Sequence, residues 1–195
     1  MSTDISPTAA EIITCAQSLL AVGGYNGFSY ADISASVHIS KASIHHHFPS
    51  KALLVETVVR QYRDAARSGM AALETQIPDP LAQLNAYVNY WATCLRDEAS
   101  PICICAMLAA ELPAIPREVA DEVRRHFDDL SKWLASVLAK GAKEGVIHLR
   151  TSAKSEAMML MATVHGAMLA ARAHGDPELF RAIVQPTLKR LQSED

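Results

Sequence analysis

The sequence predicts an all-α fold of about nine helices, and three observations lead to this prediction. Apolar side chains recur every three or four residues along most of the chain, which is the periodicity of amphipathic helices. No run alternates apolar and polar residues between turn signals, so strands are not predicted. Half of the 195 residues are hydrophobic, which is enough to bury a substantial core.

Four helices are predicted in the first part of the chain. Serines that can act as N-caps stand before the second and third helices, at Ser29 and Ser40. Gly23 and Gly24 end the first helix, and Pro49 ends the third. The expected bounds are about residues 8–22, 30–37, 41–47 and 51–73.

Five further helices are predicted after the segment "IPDPL" at residues 77–81. The first is expected from about Leu81 to Leu95, the second from Pro101 to Pro113, and the third from Pro116 to Gly141 or Gly145. The fourth begins after Ser152 or Ser155, and the turn "HGDP" at residues 174–177 separates it from the last. These breaks predict a first domain at residues 1–50, a linking helix at residues 51–74 and a second domain at residues 75–195.

Composition excludes several classes of protein. No apolar run reaches the ~18 residues of a membrane span, and the first residues lack the layout of a signal peptide, so a cytoplasmic protein is expected. Four cysteines are too few for a disulfide framework. The net charge of −3 gives no sign of a nucleic-acid partner, so any such function depends on local pattern.

The segment "YADISASVHISKASIHHHFPSK", residues 30–51, has the pattern of two short helices around a tight turn. Ile33, Val37, Ile39, Ile44 and Phe48 have the spacing to form one small core between these helices. The outer face of the second helix then stays free for the major groove of DNA, as in a helix-turn-helix. Serines and a lysine at helix N-termini are suited to bind phosphate groups. The candidate DNA-binding residues are Ser29, Tyr30, Ser40, Lys41, Ala42, Ser43, His45, His46 and Lys51.

Together with the preceding Gly-Phe-Ser, this segment resembles the DNA-binding signature of the TetR family of transcriptional regulators. The matching positions are Phe28, Ile33, Ile39, Ser40, Lys41, His47, Phe48 and Lys51. His38 stands where the family usually has glycine, at a position that often needs positive φ, and histidine tolerates this better than branched residues do. His45 and His46 stand where the family often has tyrosine. The resemblance implies a homodimeric repressor, released from a palindromic DNA operator by a small-molecule effector that binds the second domain.

Three consecutive histidines do not predict a metal site, because neighbouring side chains on a helix point about 100° apart. We expect His47 to pack beside Phe48, and His45 and His46 to contact DNA. Affinity for DNA should then rise as the pH falls from 8 to 6, because histidine gains positive charge in this range.

In the second domain, aromatic, sulfur-containing and polar residues mix as they do in ligand cavities. The pocket candidates are Tyr87, Trp91, Cys94, Cys103, Met107, Leu108, Glu111, Phe127, Trp133 and His165. The last two helices carry long apolar stripes that favour pairing with a second copy. The candidate interface residues are Ala157, Leu160, Met161, Val164, Met168, Phe180, Ile183, Val184 and Leu188. Ordinary core packing is the alternative for both sets.

The segment "SPICICAMLAAELP" suggests an alternative function. With Ser100 as N-cap and Pro101 in the first turn, Cys103 and Cys105 fall near a helix N-terminus, where the dipole lowers the pKa of a thiol. Because Cys103 and Cys105 are two residues apart, on a helix they point to different faces and are not expected to bond to each other. Cys94, on the preceding helix, is then a possible disulfide partner. The alternative is therefore a repressor that senses oxidants or electrophiles.

Neither a catalytic function nor a cofactor is predicted. No Ser/His/Asp order, paired carboxylates, glycine-rich phosphate loop or metal-binding spacing stands out in the sequence. A helical adaptor that binds only proteins is a remote alternative, which the polar residues between Ser40 and Lys51 argue against.

Overall fold

The computed structural model describes residues 6–96 and 102–192, and within them it shows nine α-helices and one short 3₁₀ helix, Leu112–Ala114. The α-helices are α1 (Pro7–Gly23), α2 (Tyr30–Val37), α3 (Lys41–His47), α4 (Lys51–Gln76), α5 (Pro80–Cys94), α6 (Ile104–Ala110), α7 (Arg117–Lys143), α8 (Ala153–His174) and α9 (Glu178–Leu191). The predicted all-α fold is confirmed. Within the two described ranges, no helix is long and apolar enough to cross a membrane.

Side-chain caps start several of these helices, and those of α2 and α3 are the serines that the sequence predicts. The capping residues are Ser6, Ser29, Ser40, Asp79 and Ser152. Of the two serines considered for α8, Ser152 is the cap, and its hydroxyl accepts a hydrogen bond from Ser155 N at 3.1 Å. α7 passes through Gly141 and ends at Lys143, and Gly145 follows with a φ of +76°.

The first of two compact units contains residues 6–64 and Cys103–His126. In it, α1 packs against α2, α3 and α6. Its core includes side chains with no exposed surface: Ile12, Leu20, Ile33, Ile44, Leu54, Val58 and Leu108. The helix α6 and the start of α7 thus fold with the N-terminal helices, although residues 65–102 separate the two segments along the chain.

The second unit contains residues 65–96, residue 102 and residues 127–192. Here α9 packs along α8 and also contacts α5. Glu156, only 1% exposed, ties the start of α8 to the end of α9 because its Oε2 accepts a hydrogen bond from Arg190 Nη2 at 2.6 Å. An isolated antiparallel bridge joins Ile147 to Gln192. The domain boundaries predicted from the sequence stay a prediction.

Candidate nucleic-acid interface

The turn between α2 and α3 has the geometry that the sequence predicts. His38 caps α2 in the left-handed conformation, with φ 58° and ψ 38°. It is the single non-glycine residue with positive φ in the described part of the chain. Ser34 Oγ donates a hydrogen bond to Ile39 O at 2.6 Å, which closes the turn. Ile33 and Ile44, both fully buried, hold the inner faces of the two helices together.

The outer face of α3 is exposed. Lys41, Ala42, His45 and His46 are exposed, and Ser43 is half-buried. Ser40 is also exposed and caps the helix, since its hydroxyl accepts from Ser43 N at 3.1 Å. This face carries cationic and hydrogen-bonding groups beside a small side chain, a composition that suits close approach to base edges and phosphates.

The three consecutive histidines have different surroundings. The ring of His45 packs edge-on against Tyr30, with 4.8 Å between ring centroids, and its Nδ1 lies 3.3 Å from Pro49 O. His46 is exposed, and its ring contacts the half-buried ring of His47 at 5.4 Å. The packing of His47 beside Phe48 and the DNA contacts of His45 and His46 stay predictions.

Tyr30 does not have the free outward hydroxyl that its inclusion among the DNA-binding candidates requires. Its hydroxyl donates a hydrogen bond to Phe48 O at 2.8 Å, so it joins the start of α2 to the end of α3. Burial raises the pKa of Tyr30 to about 12, with a further contribution from Tyr25. Tyr30 therefore holds the helix-turn-helix together.

Lys51 also turns inward, in contrast to the predicted phosphate contact. Its Nζ donates to Phe28 O and lies over two aromatic rings, 4.1 Å from the centroid of Phe28 and 4.8 Å from that of Tyr25. Burial lowers the pKa of Lys51, while the charges of Glu111 and Asp32 oppose this shift. Cation–π contact stabilises the ammonium group in this half-buried place.

Ser29 has both of its hydrogen-bond donors occupied. Its backbone N and its Oγ donate to Asp32 Oδ2 at 2.7 and 2.8 Å, which completes a capping box at the start of α2. The Ser29 hydrogen bonds lower the pKa of the Asp32 carboxyl, so it stays ionised. The predicted phosphate contact of Ser29 would therefore face a neighbouring negative charge.

Glu111, predicted to line a pocket, instead holds the loop between α1 and α2. Its Oε2 accepts a hydrogen bond from Tyr25 N at 2.6 Å, and its Oε1 lies 3.4 Å from Asn26 N. Gly24 makes this approach possible, because a Cβ there would lie 2.4 Å from Glu111 Oε2. The two ends of this contact are 86 residues apart in the sequence, so periodicity gave no signal for it.

The remaining pocket candidates fall into both units. Cys103 and Leu108 are fully buried in the core of the first unit, with Met107 half-buried near them on α6. The others belong to the second unit: Tyr87, Trp91, Cys94, Phe127, Trp133 and His165. Two ring contacts occur among these six, one between Tyr87 and Trp133 at 5.7 Å and one between Phe127 and His165 at 5.2 Å.

Most of the residues predicted for the dimer interface lie inside a single chain, and the interface itself stays a prediction. Seven of the nine are buried within a single chain, in the contact of α8 with α9 and its neighbours: Ala157, Leu160, Val164, Met168, Phe180, Val184 and Leu188. Met161 is half-buried, and Ile183 is 37% exposed. The sequence indicated the apolar stripes, but α8 also has a second stripe whose residues are exposed in the single chain: Met159, Ala162, Gly166 and Leu169.

The lowered thiol pKa that the sequence predicts near the start of α6 is wrong for Cys105. Cys103 rather than Ser100 is the N-cap of α6, while Ser100 and Pro101 lie outside the described residues. Cys103 and Cys105 have no exposed surface, and burial raises the pKa of the Cys105 thiol well above its usual range. Desolvation disfavours the thiolate more than the helix N-terminus favours it. None of the four cysteines, Cys94 included, forms a disulfide bond.

A short helix with an exposed polar face, set on a buried core after a tight turn, defines a helix-turn-helix protein. Residues 12–58 match the family described as bacterial regulatory proteins, tetR family. Residues 80–186 match the one described as tetracyclin repressor-like, C-terminal domain. The chain therefore belongs to the TetR family and is a DNA-binding transcriptional regulator.

Similar proteins agree with this assignment. A TetR-family transcriptional regulator from Agrobacterium tumefaciens superposes with a TM-score of 0.94 at 53% sequence identity, over 95% of this chain and 98% of that one. A TetR regulator from Legionella pneumophila has the same fold, with a TM-score of 0.86, 24% identity and coverage of 97% and 100%. The HTH-type transcriptional regulator CymR from Pseudomonas putida is 24% identical over 188 residues, 93% of this chain and 88% of CymR.

Proposed function

We propose that the protein is a cytoplasmic repressor that binds a palindromic operator as a homodimer and is released by a small-molecule effector. The observation that carries this proposal is the contrast between the two faces of α3. Ile44 on the inner face is fully buried, whereas Lys41, Ala42, His45 and His46 on the outer face are exposed. In the DNA complex we expect this outer face to lie in the major groove, with Lys41 and the exposed histidines on phosphates or base edges.

The exposed face of α8 supports the homodimer. Met159, Ala162, Gly166 and Leu169 follow one another at spacings of 3, 4 and 3, which is the spacing of one helix face, and all four are exposed. Met159 is 43% and Leu169 50% exposed. Gly166 has nothing within 4 Å of an added Cβ, so another helix has room to approach it.

A second copy fits this face because isologous pairing buries the same apolar stripe twice. On α9, Ile183 and Pro186 are exposed and extend the apolar surface. This stripe replaces the buried residues that the sequence suggested for the interface. A two-fold axis would also present two copies of α3, as the symmetry of a palindromic operator requires.

An aromatic cluster in the second unit, which we define as Tyr87, Trp91 and Trp133, supports the binding of a small-molecule effector. Trp91 and Trp133 are each 7% exposed, and their Nε1 atoms have no hydrogen-bond partner among the described residues. A buried indole N–H is usually hydrogen-bonded, so each of these groups is suited to an acceptor atom of a ligand. The effector class that fits is an apolar or amphipathic molecule with at least one hydrogen-bond acceptor.

The oxidant- or electrophile-sensing alternative has less support. A thiol reacts as its thiolate, and both Cys103 and Cys105 are fully buried. The direct check is alkylation under native conditions, in which we expect both thiols to react far more slowly than the half-buried Cys15 and Cys94. The protein-binding adaptor is disfavoured by the polar outer face of α3.

The test of the proposed function is binding to the DNA upstream of its own gene, measured by fluorescence anisotropy across a salt series. We expect the affinity to fall steeply as salt rises, and to exceed that for a scrambled duplex by about 10³-fold or more. Equal affinity for both duplexes, or no binding at low salt, would overturn the proposal. Compounds that release the DNA should bind more weakly to the operator complex than to the free protein.

A further inference from the structure

Cys103, Cys105 and His126 form a buried cluster within the first unit. Cys103 Sγ lies 4.0 Å from His126 Nε2, and the three donor atoms lie within 4.8 Å of one another. The two cysteines have no exposed surface, and His126 is 5% exposed. The DNA-binding surface and the aromatic cluster of the second unit leave these three residues without an assigned role.

The backbone explains how the two cysteines meet. Cys103 is the N-cap of α6 and has extended φ and ψ angles of −60° and 118°, so its side chain does not follow helical spacing. Cys105 is in the first turn of α6, and His126 comes from α7. Residues two apart point to different faces only inside a helix, and Cys103 lies before α6.

Two thiols and one imidazole are the donors that thiophilic ions with a filled d shell prefer, above all Zn²⁺ and Cu⁺. In a tetrahedral zinc site, sulfur–sulfur and sulfur–nitrogen separations are about 3.8 and 3.6 Å. The 4.0 Å distance between Cys103 Sγ and His126 Nε2 is near this value, and the cluster would contract by no more than about 1 Å.

The charge balance favours Zn²⁺ over Cu⁺. Binding displaces the protons of both thiols to solvent, and the two resulting thiolates neutralise Zn²⁺, which gives a neutral complex that costs the least to bury. Glu122, one turn before His126 and 4% exposed, already forms ion pairs with Arg63 and Arg125. Its carboxylate is therefore not assigned as a ligand, and the fourth zinc position is left for water or a small anion.

The ring of His126 is held in place by Tyr62, with 5.4 Å between the ring centroids. A fixed ring keeps Nε2 directed at the sulfur atoms, which is the role that neighbouring groups play around metal-binding histidines. We propose that Cys103, Cys105 and His126 bind one thiophilic metal ion per chain, Zn²⁺ by preference.

The test uses the full-length protein, reduced and treated with a chelator, and it needs no DNA, so it is independent of the proposed regulatory function. Co²⁺ serves as a spectroscopic probe for Zn²⁺. We expect a thiolate-to-cobalt charge-transfer band that saturates at one ion per chain and disappears when Zn²⁺ is added. The Cys103→Ser and Cys105→Ser variants should each lose at least about 100-fold in affinity, the upper range of losses seen for outer-shell partners.

The matched control is the Cys15→Ser/Cys94→Ser variant, which removes the two thiols outside the cluster and should bind as the wild type does. If the cluster variants fail to fold, X-ray absorption of the zinc-loaded wild type decides, with two sulfur ligands and one imidazole expected. A Cu⁺ titration against a copper chelator forms a second arm, and tighter binding of Cu⁺ at the same residues would name copper as the ion. Binding of neither ion, or cluster variants within threefold of the wild type, would overturn the proposal.

Discussion

α3 and α8 each leave one helix face uncovered, but the two faces differ in chemistry. The outer face of α3 carries Lys41 and two exposed histidines, whereas that of α8 carries Met159 and Leu169. Both helices bury their opposite faces inside their own unit. A buried inner face fixes the helix, and the composition of the outer face then indicates the partner. DNA suits the first surface, and a second copy of the chain suits the second.

The largest expected effect is on the apolar face of α8. Leu169→Asp places a charge in the proposed dimer contact, and two-fold symmetry repeats the change on both subunits. At about 2 kcal/mol for each copy, the dimer should weaken by about 10³-fold, measured by analytical ultracentrifugation. Val22→Asp is the control, because Val22 is 66% exposed on α1 and lies outside this face. An unchanged dimer dissociation constant in Leu169→Asp would contradict the proposed role of this face of α8.

The buried side of α8 depends on Glu156. Glu156→Gln should lower the free energy of unfolding by about 1.5–3 kcal/mol, because the negative charge and one of the two oxygens that accept from the charged Arg190 are lost. The Arg190 hydrogen bond lowers the pKa of Glu156 in the folded state. Its stabilisation is thus fully present above the unfolded pKa of about 4.3 and is lost as the pH falls below it.

Urea unfolding of wild type and variant at several pH values measures both effects. The difference between the two proteins should be constant near neutral pH and should shrink under acidic conditions. A difference that grows as the pH falls would contradict the proposed role of Glu156.

The loop between α1 and α2, which Glu111 binds, leads directly into the helix-turn-helix, and Gly27 tests how tightly this loop is packed. Gly27→Ala would place a Cβ 2.3 Å from Gly23 O, a backbone atom that cannot move aside easily. The expected loss of stability is about 1–3 kcal/mol. Gly23→Ala is the matched control, since an added Cβ there meets nothing within 4 Å. Equal free energies of unfolding of the two variants in urea would show that the backbone near Gly27 shifts easily to accommodate a Cβ.

Lys41 tests the charge on the outer face of α3. Lys41→Ala should weaken operator binding and reduce the slope of log affinity against log salt by about 1, the change for one lost phosphate contact. Lys132→Ala, at an exposed site on α7, should leave the slope unchanged. Anisotropy titrations at four salt concentrations measure it, and identical slopes for Lys41→Ala and wild type would exclude a phosphate contact.

The smallest expected effect is that of the exposed histidines on DNA binding. The His45→Gln/His46→Gln variant should bind the operator a few-fold more weakly at fixed salt, because both imidazoles are proposed to contact phosphates or base edges. Anisotropy titrations measure the effect, and an affinity equal to that of the wild type would assign these contacts to other groups.

Local patterns predicted much of this molecule. Caps and apolar periodicity located α2 and α3, and the position of His38 indicated its positive φ. Amphipathic patterns did not reveal which stripe of α8 faces inward, because Ala157 and Met159 are both apolar. The choice is made by packing against α9 within the unit.

Two of the candidate DNA-binding residues have hydrogen bonds within the fold that the sequence does not reveal. Tyr30 and Lys51 have polar groups that could contact DNA, but within the fold these groups donate hydrogen bonds to the backbone carbonyls of Phe48 and Phe28. Contacts between distant parts of the chain, such as that of Glu111 with Tyr25, leave no local pattern. A polar side chain in a motif therefore identifies a candidate, and only its hydrogen-bond partners in the fold decide whether it is available.

The central claim, that α3 reads the major groove as one of a symmetric pair, is tested most directly by a methylation-protection footprint of the operator complex. We expect protection of guanine N7 in two patches whose centres are one helical turn, about 34–36 Å, or a multiple of it apart. Protection should disappear in the Lys41→Ala/His45→Ala/His46→Ala variant. A footprint with unprotected N7 atoms, or with one patch that survives in this variant, would exclude this mode of DNA binding.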